Sequence, residues 1–217
     1  MNPLTLAIPG PHKGLPVLPR GEPFGTATRA LIMVHGRGAS AEDMLSLADN
    51  LAAPGFIYLA PQANGHLWYP NRYDTPLAQN EPSLSSALAA VGFLVDQAVQ
   101  AGIPAERVVL TGFSQGACVS AEFTARNARR YGGLAVLAGG MIGPKETPRD
   151  YPGSLERTPV YLGCSDPDEY FPPGWIDYSA EVFRKLGGKV TQQFFPNLGH
   201  RVNLEEIHAL RDIMQAV

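Results

Sequence analysis

Apolar runs that do not alternate constrain this chain most. "LIMV" (Leu31 to Val34), "VVL" (Val108 to Leu110) and "LAVL" (Leu134 to Leu137) are continuous. A strand with one wet face alternates apolar and polar residues, so such runs read as strands buried on both sides. Helix-like segments separate them. Ser40 to Ala52 opens with an N-cap serine and places Met44, Leu47, Ala48 and Leu51 at helical spacing. Ser83 to Ala101 repeats that spacing through Leu84, Leu88, Val91, Leu94, Val95 and Val99. With these runs inside them, strands are read at 29–35, 56–61, 107–113, 134–140, 159–164 and 190–195. Further helices are read at 115–131, 174–188 and 203–217, the second of these ended by Gly187. Repeated β-then-α order predicts an α/β fold, a single mostly parallel sheet with helices on both faces. A length of 217 residues fits one domain over 1–217, with no separate cap domain.

Composition narrows the function classes. A net charge of −3 gives no electrostatic reason to expect nucleic acid or an anionic membrane as partner. No apolar stretch approaches the roughly 20 residues that span a bilayer, so stable membrane insertion is not expected. The start "MNPLTLAIPGPHKG" lacks the basic and apolar regions of a signal peptide. Cys118 and Cys164 make no disulfide framework. These features point to a cytoplasmic protein. The sequence holds no H-E-x-x-H, C-x-x-C or P-loop, which leaves metal and nucleotide sites without support.

In a parallel sheet, functional residues gather on loops at the carboxyl ends of the strands. Gly112-Phe113-Ser114-Gln115-Gly116 stands at such an end, between a strand and a helix. It matches the G-x-S-x-G nucleophile elbow, in which a strained turn exposes a serine hydroxyl. A bare hydroxyl is a weak nucleophile and needs a base. Two histidines follow Ser114. His208 lies mid-helix in "EEIHALRD", whereas His200 follows a strand in "PNLGH" and suits the role. A carboxylate should orient the imidazole. Asp166, three residues past Gly163 in "GCSDPDEYFP", is the candidate, with Asp168 its near competitor. For the oxyanion, the backbone N–H groups of Gln115 and Arg37 are the candidate donors, the latter from the glycine-rich loop "HGRGAS", which His35 is expected to brace. That loop also reads G-x-G-x-x-A, like a dinucleotide fingerprint, but the second strand ends "LAPQ" without the acid a ribose needs. Cys118 and Cys164 read as small core residues.

Together "HGRGASAEDML", "GFSQGA", "GCSDPDEYFP" and "LGHRV" resemble the phospholipase/carboxylesterase family of α/β-hydrolases, which includes the acyl-protein thioesterases. The resemblance covers roughly Leu31 to the C-terminus. It implies a triad of Ser114, Asp166 and His200, an oxyanion hole from the Arg37 and Gln115 amides, and no cofactor. "APQANGHLWYPNRYDTP" looks like a bacterial esterase branch of the family, and "DPDEYFP" is longer than the usual turn after the acid. The implied partner is a small-molecule ester of small to medium size, cleaved through an acyl-enzyme. A thioesterase or lysophospholipase on the same triad and a non-catalytic ligand-binding relative are the alternatives. A dienelactone hydrolase-like enzyme usually carries a cysteine where this chain has Ser114. Trp68, Tyr69 and Tyr73, with Met141, Ile142 and Phe171 from later loops, are expected to line an apolar pocket. Homodimers occur on this fold, and no interface can be read in the sequence.

Overall fold

A computed structural model describes residues 4–51 and 53–217. Among them, seven strands form one sheet. β1 (Val17–Gly21), β2 (Arg29–Val34), β3 (Phe56–Pro61), β4 (Val108–Phe113), β5 (Gly133–Leu137), β6 (Pro159–Asp166) and β7 (Lys189–Pro196) lie in the order β1-β3-β2-β4-β5-β6-β7. All neighbouring pairs are parallel except β1 with β3. The six parallel strands are the ones expected from apolar runs. β1 was not expected. Its sequence VLPRG carries a proline and a glycine, and only Val17 in it is buried. An edge strand tolerates such residues, because one side of its ladder needs no donor.

The helices are α1 (Ala41–Ser46), α2 (Ala48–Leu51), α3 (Ser83–Gln100), α4 (Gln115–Arg126), α5 (Pro173–Lys185) and α6 (Leu204–Gln215). Alternate residues of each central strand serve opposite cores. Ala30, Ile32 and Val34 of β2 belong to the core shared with α3, α4 and α5, while Leu31 and Met33 belong to the one shared with α1, α2 and α6. Both faces are therefore apolar, which is why the runs do not alternate.

Two expected helices are shorter than read. The segment after Ser40 divides at Leu47 into α1 and α2, and Ala52 lies outside the described residues. Ser40 does cap α1: its hydroxyl accepts the Asp43 N–H, and the Asp43 carboxylate accepts the Ser40 N–H. α4 stops at Arg126 rather than continuing to Tyr131. β6, in contrast, runs two residues beyond Cys164, with Asp166 still in register with Pro196 of β7. That extension moves the loop that follows it, and with it the acid of the site.

Candidate active site

The turn between β4 and α4 holds Ser114 at φ +53° and ψ −118°. A non-glycine residue rarely adopts a positive φ, and strain of this kind persists only when the surroundings impose it. Here the two glycines permit the turn. A Cβ on Gly112 would lie 2.4 Å from the carbonyl group of Gly116, and one on Gly116 would lie 2.1 Å from the Val34 carbonyl oxygen. Gly112 therefore lets the first turn of α4 fold back over β4, and Gly116 lets α4 approach the end of β2. The Ser114 N–H donates to the Leu137 carbonyl at 2.9 Å, pinning the elbow to β5.

His200 reaches the same point from the loop after β7. Its Nε2 stands 2.8 Å from Ser114 Oγ and its Nδ1 2.9 Å from Asp168 Oδ2. The neutral ring that fits carries its proton on Nδ1, donates it to Asp168, and accepts from the serine hydroxyl. The Gly199 N–H donates to Ser165 Oγ at 2.9 Å, tying this loop to β6. Phe113 and Tyr170 flank the imidazole, with ring centroids 4.9 and 4.7 Å away.

The carboxylate partner corrects the sequence expectation. Asp166 is exposed at the end of β6, where its backbone carbonyl accepts the Asn197 N–H. Asp168, not Asp166, meets His200, and its side chain is fully buried. Its Oδ1 accepts the N–H groups of Tyr170 and Phe171 at 2.8 and 2.9 Å, leaving Oδ2 for the histidine. The physical reason is the length of β6. A strand ending at Asp166 leaves that residue in the ladder, and the first residues free to turn beneath the imidazole come after it.

The loop after β2 faces the elbow. Among the described residues, the backbone N–H groups of Arg37 and Gln115 have no protein acceptor. Both residues line the cavity over Ser114. Gln115 opens α4, so its N–H is one of the first-turn donors a helix leaves unpaired. The loop is braced as expected. His35 donates from Nδ1 to the Gly36 carbonyl at 2.8 Å and accepts the Ala63 N–H on Nε2 at 3.1 Å. Burial pushes its pKa down, which keeps the ring neutral and the Nε2 lone pair available.

The cavity measures about 570 Å³. Tyr69, Tyr73 and Phe171 line it, as expected, together with Tyr170. Trp68, Met141 and Ile142 do not; all three are fully buried in the core below. Trp68 turns inward because its indole N–H donates to the His35 carbonyl at 2.8 Å. Met141 and Ile142 are held by their own N–H groups, which donate to Ser179 Oγ and to the buried Glu122 carboxylate. The Gln115 side chain has a task the sequence did not disclose. It accepts the Trp68 N–H and donates to the Tyr69 carbonyl, clamping the aromatic loop onto the elbow. The one trace of it in the sequence is the position of the amide, immediately after Ser114 in the elbow. Cys118 and Cys164 are buried with pKa values pushed up to about 12 by desolvation, which makes them poor nucleophiles. Among the described residues no cluster of three or more His, Cys, Asp or Glu residues could hold a metal ion.

A mostly parallel sheet with an antiparallel edge strand and a strained serine elbow after β4 defines an α/β-hydrolase. Residues 22–217 match the family model described as Phospholipase/Carboxylesterase, and the chain belongs to that family. A crystal structure of a phospholipase/carboxylesterase from Dyadobacter fermentans superimposes with a TM-score of 0.89 at 36% identity, covering 93% of this chain and 96% of that one. Acyl-protein thioesterase 1 of Aspergillus fumigatus is 28% identical over 88% of each chain. Lysophospholipase-like protein 1 of Mus musculus is 23% identical over 87% of each. The Bacillus cereus carboxylesterase shares the fold, with a TM-score of 0.72 at 18% identity over 94% of this chain and 95% of that one.

Proposed function

We propose that the protein is a serine carboxylesterase that hydrolyses small to medium carboxylic esters through an acyl-enzyme, with Ser114, His200 and Asp168 as its triad. One observation carries this reading: a single imidazole stands within hydrogen-bond distance of both Ser114 Oγ and a buried carboxylate. His200 Nε2 takes the serine proton as Oγ attacks the ester carbonyl. The carbonyl oxygen gains a negative charge, which the Arg37 and Gln115 N–H groups stabilise. His200 then protonates the departing alcohol, leaving Ser114 acylated. Water repeats the cycle: His200 accepts its proton, and the acid leaves as Oγ recovers a hydrogen. Throughout, Asp168 holds the proton on Nδ1 and favours the charged ring.

The names of the curated relatives favour a second reading, hydrolysis of thioesters by the same residues. The triad chemistry is common to both bonds, and the leaving group alone differs. The test is a chain-length series of 4-nitrophenyl esters run beside thioesters of equal acyl length. The esterase reading expects Ser114-dependent turnover that favours the oxygen esters. Greater kcat/KM on the thioesters would replace it with the second reading. Undiminished turnover by Ser114→Ala would reject both.

A further inference from the structure

We propose that the cavity over Ser114 selects esters that carry a negative charge, a carboxylate, phosphate or sulfate, which the Arg37 guanidinium receives. The proposal rests on the esterase reading and names its substrate class. Its first support is the charge of the lining. Arg37 and Arg72 are the charged side chains in its lining, and no Asp or Glu lines the cavity. Asp168 sits behind His200, buried, with both oxygens occupied. The chain as a whole has a net charge of −3, so the positive lining is local and does not reflect a basic surface.

The two arginines differ. Arg72 is exposed and paired with Asp74 at 3.2 Å. Arg37 forms no salt bridge among the described residues. Its guanidinium is held by three consecutive main-chain carbonyls, those of Tyr69, Pro70 and Asn71, at 3.1, 3.1 and 2.8 Å. Carbonyls position a guanidinium without neutralising it. A guanidinium has five N–H groups, and three are engaged here, so its charge and two donors remain for a ligand. The position is fixed relative to the nucleophile. The Tyr69 carbonyl that accepts from Arg37 also accepts from the Gln115 side chain, one residue past Ser114. Arg37 thus brings to the cavity lining, beside Ser114, both an unpaired backbone N–H and an uncompensated positive charge. Arginine suits this role because its planar fork matches carboxylate and phosphate geometry.

The experiment uses two pairs of esters that differ only in charge. On the acyl side, the 4-nitrophenyl monoester of adipate is compared with that of adipamate. On the alcohol side, the acetate of 4-hydroxybenzoate is compared with that of 4-hydroxybenzamide. In at least one pair the anionic member should show a kcat/KM about tenfold higher at low salt, with the preference shrinking at about 0.5 M salt. The pair that responds identifies the side of the ester that carries the charge. Within that pair, Arg37→Gln should bring the anionic-to-neutral ratio close to one and Arg37→Lys, which keeps the charge without the fork, should preserve part of it. Because the ratio is taken within each variant, any general loss of activity cancels. Arg72→Gln should lower the ratio by a smaller factor. Equal or lower kcat/KM for the anionic member of both pairs overturns the proposal, as does a preference that survives Arg37→Gln. Ser114-dependent turnover of the neutral esters alone sinks the charge selection and leaves the esterase reading standing. Turnover that Ser114→Ala does not diminish sinks both.

Discussion

Asp168 divides its two oxygens between two tasks. One accepts the backbone N–H groups of Tyr170 and Phe171, and the other faces His200. The same carboxylate therefore folds one wall of the cavity and fixes the imidazole. Replacing it with an amide keeps the shape but offers the ring a donor where it needs an acceptor. Asp168→Asn is expected to lower kcat by about 10⁴-fold with a small change in KM, by loss of the productive tautomer. Asp166→Asn, on an exposed residue, should stay within about twofold of wild type. Steady-state kinetics on one ester separates the two, and the reverse order of severity would return the role to Asp166. The serine and the histidine were legible in the chain because each is tied to a local pattern, a glycine-flanked elbow and a loop at a strand's end. The acid was not, because Asp166 and Asp168 differ only in where β6 stops. Strand length is set by pairing with β7, and no residue near Cys164 announces it. Pocket residues failed for a related reason. Tyr69 and Trp68 are neighbours of equal aromatic character, and the Trp68 bond to the His35 carbonyl decides which one turns inward.

At the level of elements, the site depends on α4 lying against the carboxyl end of β2. Gly116 makes that contact, since a methyl group there would overlap the Val34 and His35 carbonyls. Backbone atoms cannot yield as a flexible side chain can, so α4 must move as a unit. Gly116→Ala is expected to cost about 3 kcal/mol or more and to displace Ser114 from His200. Urea denaturation reads the first effect and ester turnover the second. Wild-type stability together with wild-type kcat would show that the contact is slack. The parallel strands and their helices were readable because both cores demand apolar residues at consecutive positions. β1 escaped notice because an edge strand with one buried side chain carries almost no pattern. The break at Leu47 was equally silent, since apolar spacing continues across it.

For the molecule as a whole, one buried carboxyl couples stability to pH. Glu206 near the start of α6 is fully buried. Its Oε2 accepts the Asn203 N–H, while its Oε1 has no hydrogen-bond partner among the described residues and rests over Gly163. Burial, with the nearby Glu205 and Asp168 carboxylates, raises its pKa from 4.5 to about 7. Between those values the folded chain holds a proton that the unfolded chain has released. Stability is thus fully supported below pH 4.5 and declines as pH rises through about 7. The contribution is about 3 kcal/mol across that window. Glu206→Gln keeps the cap on Asn203 and removes the titration, so its unfolding free energy should fall less than that of wild type from pH 5 to pH 8. Parallel pH profiles for the two proteins would contradict this. The fold presents the Ser114 hydroxyl to His200, and active-site labelling asks whether that hydroxyl is the nucleophile. The protein would be treated with a fluorophosphonate and the adduct located by mass spectrometry. One adduct per chain is expected, on Ser114, lost in Ser114→Ala and strongly slowed in Asp168→Asn. An unlabelled chain, or an adduct on another residue, would contradict it.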